Sequence, residues 1–404
     1  MRYLGLFFTI FLLMNSCKEA KKEHNEQVNA ENVLLQLLEA DSGEVIHIPE
    51  GLYSFQRSLS LIGVPDVTIK GAGMGKTILS FEGQIDGAEG LLVKADGVIL
   101  EDFTIQDSKG DAIKVQDAVG VIFRRVETTW THGASEENGG YGIYPVGCTN
   151  VLIENCEASY AADAGIYIGQ SNQVIMRDNY AHHNVAGLEI ENSRNVEAYG
   201  NRAEENTGGL LIFDMPGLPQ ANGYNVKVHN NTVKGNNHKN FAPEGGVVAT
   251  LPPGTGMLIL AHRDVEVFNN EITDYKTLGL GVISWYFTER PFESTNGYDP
   301  YYSKVFVHDN VFQRRKAIPD LTKEFGKMLN ALFIGKPQDI VIDGIFKDNS
   351  EVHLCLRNNG DDLRFANLNA ERATGLGDLK NLLDHEMEKF DCQLPSFNVT
   401  SPTL

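Results

Sequence analysis

The stretch AGIYIGQSNQVIMRDN (164–179) is followed 22 residues later by AGLEIENSRNVEAYGN (186–201), and reading the two as one unit decides the fold. Each copy opens with a small residue and glycine, alternates apolar and polar residues, and ends on asparagine. Sliding the chain along itself finds the closing half again as VTIKGA at 67, VILEDF at 98, VIFRRV at 121 and VLIENC at 151. It continues as VKVHNN at 226, VEVFNN at 265, VFVHDN at 305 and IVIDGI at 340. The opening half recurs as DAIKV at 111, GIYPV at 142, GLLIF at 209, GMLIL at 256 and GLGVI at 279. Period-two alternation marks strands, and a unit of this length holds two or three of them with no room for a helix. The longer spacings are the same unit carrying insertions.

Such a unit builds an all-β fold: a single-stranded right-handed parallel β-helix of about ten coils. Asn179, Asn201, Asn231, Asn270 and Asn310 each fall five residues after the leading valine. Coils stacked about 4.8 Å apart let these amides bond along the column, a structural ladder without catalytic content. The amphipathic stretch AENVLLQLLEA (30–40) is placed to cap the first open β-edge. Beyond 350 the repeat fades, and 351–404, with LGDLKNLLDHEMEKF at 376–390, reads as a covering segment.

The 404-residue chain has a formal net charge of −20, which argues against a nucleic-acid partner. Residues 1–16, with Arg2 and the apolar run LGLFFTIFLLM (4–14) ahead of Ser16 and Cys17, resemble a bacterial lipoprotein signal. That resemblance implies lipidation of Cys17 and a cell-envelope location, facing the periplasm or the exterior, with the lipid as the sole membrane attachment. Residues 17–29 are too polar to bury anything and read as a tether. An oxidising compartment allows disulfides, Cys355–Cys392 being the first pairing to test, whereas Cys148 and Cys156 read as buried thiols.

Candidate chemistry comes from columns rather than linear motifs. Counted from the glycine-led strand, the outward column runs Lys114, Tyr144, Tyr167, Glu189, Leu211. The preceding turns add Trp130, His132, Asp163 and His183, and Asp214 follows the GLLIF strand. Removing a uronate C5 proton needs a carboxylate neutraliser, a base and an acid; the candidates are Lys114, His183 and Tyr144 or Tyr167, in that order. Trp130, His132, Asp163, Glu189 and Asp214 are the candidate substrate contacts. No ligand spacing calls for a metal or other cofactor, calcium included. The long inserts 214–224, 232–254 and 286–303 read equally as groove walls or as covers for an apolar flank.

The segment YGIYPV (141–146) and the two coils after it resemble mannuronan C5-epimerases over roughly 139–215. Tyr141, Gly142 and Pro145 fit that family's strand, but Tyr144, Val146 and Gly147 stand where it has aspartate, histidine and aspartate. The epimerase chemistry is therefore not carried over. Over the whole length, VIHIPEGLYSF, YGIYPV, GLLIFDMPGLPQANGYNVKVHNNTV and HLCLRNNGDDLRFANL resemble secreted or lipid-anchored β-helix repeat proteins. This second resemblance implies fold, export and a partner protein exported with it. Three expectations follow: binding of an extended polysaccharide or partner along one face, uronate lyase or epimerase action, or a structural role beside the co-encoded partner.

Overall fold

The computed structural model describes residues 30–293, 296–347 and 352–403; the signal, the tether and Cys17 lie outside them. Every strand pairing between coils is parallel. One face is an eleven-stranded sheet that starts at Arg57–Ile62 and ends at Phe365–Asn367. Its middle strands are Tyr141–Val146, Ala164–Gly169, Ala186–Glu191, Gly208–Phe213, Thr255–Leu260 and Leu278–Ile283. Two further columns face it. One holds Thr149–Glu154, Asn172–Arg177, Arg194–Tyr199, Tyr224–His229, Arg263–Phe268 and Ser303–His308; the other holds short strands such as Tyr180–His182 and Arg202–Glu204. In the early coils Ile99–Gln106 and Val119–Thr129 run unbroken through both. Inward aliphatic residues of all three faces form one continuous core.

The corner between the two facing columns is made by one residue in the left-handed region. Asp178, Gly200, Asn230, Asn269 and Asp309 hold φ of 56°, 67°, 54°, 54° and 53°, the conformation that Gly, Asn and Asp enter most cheaply. The next residue is the ladder asparagine. Asn179 donates to Asn201 (2.9 Å), Asn201 to Asn231 (3.0 Å), Asn231 to Asn270 (2.9 Å), and the chain runs through Asn310 to Asn359. Each amide gives its second proton to a main-chain carbonyl, as Asn201 does to Met176 (2.9 Å). A second ladder, Asn184–Asn206–Asn236, lines the next corner. Its members sit five residues beyond those of the first, a regularity present in the sequence but not singled out from it.

The ends depart from expectation in part. The helix at 30–38 buries Ala30, Val33 and Leu37 over the first coil. The strand IVIDGI at 340 belongs to the other face: Gln338–Ile342 pairs with Leu278–Ile283. The matching strand of the opposite column is Leu354–Arg357, so the coils run past 350 to Phe365–Asn367. An insertion containing the helix Glu324–Leu332 displaced the count. Within 376–390, expected as one helix, the chain is helical only over Leu376–Leu382 and Met387–Phe390.

Cys355 and Cys392 are disulfide-bonded, and Cys148 and Cys156 are buried thiols. Beyond Cys392 the chain turns back along the outside of the helix. Gln393 meets Arg357 (3.0 Å), Ser396 meets Glu266 (2.8 Å), Asn398 accepts from Asn225 (2.7 Å) and Thr403 reaches Asn150 (3.3 Å).

Replacing Asn201 with alanine strips partners from Asn179, Asn231 and Met176 at a site with no water access. We expect a loss of about 2–4 kcal/mol in urea unfolding. An unchanged midpoint would show that the ladder is incidental.

Candidate functional site

The parallel register turns the eleven-stranded sheet into columns of outward side chains. Tyr144 pairs in register with Lys114, Tyr167 with Glu189, Glu189 with Leu211, and Leu211 with Leu258. The neighbouring column reads Val146, Gly169, Glu191, Phe213, Leu260 and Ile283. Both turn apolar at the same coil, where Glu189 gives way to Leu211 and Glu191 to Phe213.

Three tyrosine rings meet on this face. Centroids are 4.6 Å apart for Tyr141–Tyr144, 4.4 Å for Tyr141–Tyr167 and 4.9 Å for Tyr144–Tyr167. Tyr141 and Tyr144 remain half-buried, while Tyr167 is closed in. Gly169 is what lets Tyr167 lie flat along the sheet, because a Cβ there would come within 2.4 Å of its ring. The Tyr167 hydroxyl then donates to Glu191 Oε1 (2.5 Å). Lys114 Nζ sits 5.1 Å from the Tyr144 ring centre and 4.0 Å from Glu89.

Carboxyl groups crowd behind and beside the rings. Asp111 Oδ1 accepts from the Tyr141 amide (3.3 Å), and Tyr141 donates to Asp163 Oδ2 (3.4 Å). Asp111 and Asp163 flank Gly140. Glu189 is 2% exposed, and its Oε2 has no hydrogen-bond partner. Burial pushes Asp111 up to about 6 against the pull of Lys114. Burial, then the charge of Glu191, pushes Asp163 up to about 7, and burial does the same to Glu191. Burial and the charges of Asp163 and Glu191 raise Glu189 well above the carboxylate range. The row holds protons near neutrality, and can both donate and accept hydrogen bonds.

The expected site residues divide. Lys114, Tyr144, Tyr167, Asp163 and Glu189 come together. His183 does not join them: it occupies a turn at φ 59°, with its ring against Tyr160, His182 and His238. Burial and the neighbouring His182 lower its pKa, but it is not positioned to serve the tyrosines as a base. Trp130 is a core residue, 4% exposed, donating to the Ser108 carbonyl (2.8 Å). His132 is exposed and pairs with Glu82 at 3.3 Å, apart from the tyrosines. Asp214 is sealed beneath Tyr298 and beside buried His262, 3.7 Å away, so it touches no ligand from solvent. Tyr141, Asp111 and Glu191 were missed as site residues. Glu191 was legible as the next outward position after Glu189; Tyr141 required knowing that the strand begins one residue earlier.

The inserts act as covers. Val248, Leu251, Trp285 and Tyr298 pack on Leu211, Phe213, Leu258, Leu260 and Ile283, shielding the apolar half of the face and leaving Tyr141 and Tyr144 partly exposed at its other end.

Raised carboxyl pKa values favour the folded state while protonated. That stability is complete below about pH 4 and is lost as pH rises through about 6–7. Glu191→Gln keeps an acceptor for Tyr167 and removes one ionisation. It should match the parent near pH 4.5 and exceed it at pH 8 by on the order of 1–3 kcal/mol. Identical pH profiles for the two proteins would contradict the burial argument.

A family model described as a right-handed β-helix region matches residues 89–289. The pre-neck appendage proteins of Bacillus phages PZA and phi29 are 26% and 25% identical over 249 residues; the match covers 52% of this chain but only 29% of theirs. Among solved structures, the Streptococcus pneumoniae surface protein and adhesin PfbA is 11% identical with a TM-score of 0.51, covering 82% of this chain and 91% of that one. The A-module of the Azotobacter vinelandii mannuronan C-5 epimerase AlgE4 is 16% identical with a TM-score of 0.47, covering 78% and 86%. Stacked parallel coils, three sheet faces and the matching family model lead to one conclusion: this chain belongs to the right-handed parallel β-helix proteins.

Proposed function

We propose that the chain binds an extended, hydroxyl-rich glycan along the outward face of the eleven-stranded sheet, and does so in the cell envelope, held by a lipid on Cys17. The observation that carries this reading is the pair Tyr141 and Tyr144, partly exposed on that face against buried Tyr167 and bordered by Lys114, Asp111 and Asp163. Tyrosine combines an apolar ring for sugar C–H surfaces with a hydroxyl for hydrogen bonding. Partly protonated carboxyls beside it donate to and accept from sugar hydroxyls. Lys114 also touches Glu89, and a chain of net charge −20 offers a uronate polymer little attraction. Neutral glycans therefore suit the face better than acidic ones. The uronate lyase or epimerase reading has less support, because its intended base, His183, packs elsewhere.

Titrating the protein with neutral glucans, mannans and xylans and with uronate polymers, followed by ligand line broadening in proton NMR, tests the reading. We expect a neutral polymer to bind and Tyr144→Ala to weaken it at least ten-fold, about 1.4 kcal/mol or more. Val119→Ser, on an exposed strand position outside this sheet, should leave binding unchanged. In heavy water the C5 protons of uronates should stay in place; their exchange would favour the enzyme. Binding of no polymer would leave the exported protein partner as the better reading.

A further inference from the structure

The exposed part of the tyrosine face is framed by two aspartates on different coils. Strand pairing sets Asp163 level with Gly140 and Asp111 level with Tyr141, so the pair lies on the coils either side of Tyr141. Both aspartates are half-buried, as are Tyr141 and Tyr144. The position between them is glycine. A side-chain carbon on Gly140 would stand 3.6 Å from Asp111 Oδ1 and 3.8 Å from Asp163 Cβ, and outside its chain neighbours would meet nothing else within 4 Å. At Gly142 and Gly165 the same carbon would strike packed atoms at 2.4 and 2.6 Å. The Gly140 distances hold Asp111 Oδ1 and the Asp163 carboxyl carbon inside about 9.5 Å, the widest spacing at which two carboxyls act on one glycosidic bond.

Binding alone does not call for two acids here. Amides would hydrogen-bond sugar hydroxyls without the cost of setting ionisable groups against Glu189 and Glu191. The two acids also differ in their surroundings. Lys114 attracts Asp111, with Glu89 beside it, whereas Asp163 faces Glu191 and Glu189; Tyr141 and Tyr144 stand against both. We propose that this face cleaves the glycan it holds, as a glycoside hydrolase site for a neutral polysaccharide in which Asp163 is the acid and Asp111 the base. The inference rests on the glycan reading and adds a reaction to it.

Asp163 gives its proton to the glycosidic oxygen as the bond from that oxygen to the anomeric carbon breaks. Asp111 takes a proton from a water molecule, whose oxygen joins the anomeric carbon. One water is consumed, two sugar ends are released, and proton exchange with solvent resets the two aspartates. The charges fit that assignment. Burial lifts Asp111 to about 6 against the pull of Lys114, and burial with the charge of Glu191 lifts Asp163 to about 7. Between those values the base is ionised and the acid protonated. Tyr141, whose hydroxyl reaches Asp163 Oδ2 at 3.4 Å, positions the acid.

Incubating the same neutral polymers with the intact protein at about pH 5 to 8, and counting new reducing ends, tests the proposal. A polymer that binds should shorten, with a rate that rises as pH passes about 6 and falls as it passes about 7. Asp111→Asn and Asp163→Asn should each lower the rate at least a hundred-fold, with binding kept within about three-fold as proof of folding. Gly140→Ala sets a methyl group between the carboxyls without a clash, and should lower the rate at least ten-fold at an unchanged melting temperature. A polymer that binds through Tyr144 and stays intact overturns the hydrolase and leaves the glycan reading standing. Shortening that survives both aspartate variants also overturns it. Should no polymer bind, the hydrolase falls together with the glycan reading.

Discussion

The structure depends on one backbone constraint, repeated: a single residue in the left-handed region followed by a buried asparagine. The left-handed residue turns the chain sharply enough for the coil to close in about 22 residues. The asparagine then satisfies the main-chain groups which that turn leaves unpaired, and hands one proton to the next coil. A buried amide with every donor and acceptor used is stable; the same amide with one partner missing is costly. Register errors are thus penalised at each coil from Asn179 to Asn359, and the three faces stay aligned along that part of the axis.

That alignment is why the outward face can be read as a surface. With coil spacing fixed, one side-chain choice per coil sets the chemistry of one step along the axis. From Lys114 through Tyr144 and Tyr167 to Glu189 the choices are polar or aromatic, and from Leu211 onward they are apolar. The insertions follow the same boundary. They roof the apolar steps and leave Tyr141 and Tyr144 partly exposed at the other end, so loop placement and column chemistry answer the same demand.

Much of this was legible in the sequence, for a physical reason. A ladder needs the same residue at the same place in each coil, and repetition is visible without coordinates. The outward column was legible too, since strands alternate strictly. What escaped were features that depend on three-dimensional closure. Trp130 reads as a substrate contact until its indole is seen turned into the core onto Ser108. His183 shares a coil with Tyr167, but one turn of chain points it to another face. The last coil was misjudged because an insertion with its own helix, Glu324–Leu332, precedes the strand Gln338–Ile342, which resembles the facing column in sequence but pairs with Leu278–Ile283. Glu189 was placed correctly, yet its raised pKa arises from burial and from the charges of Asp163 and Glu191, which the strand pattern alone does not show.

The returning C-terminal segment gives the stack a property that coils alone would lack. In a linear array of coils each touches only its neighbours, so the array peels from an exposed end, one coil at a time. Here the final coil is pinned by the Cys355–Cys392 bond, and the chain beyond it lies back across earlier coils, touching Glu266, Asn225 and Asn150. Lifting the last coil means dragging a segment that is fastened much further down the stack. Coils that share no hydrogen bond with each other are thereby loaded together, and the molecule behaves less like a stack of plates than like a stack with a cord drawn along its side.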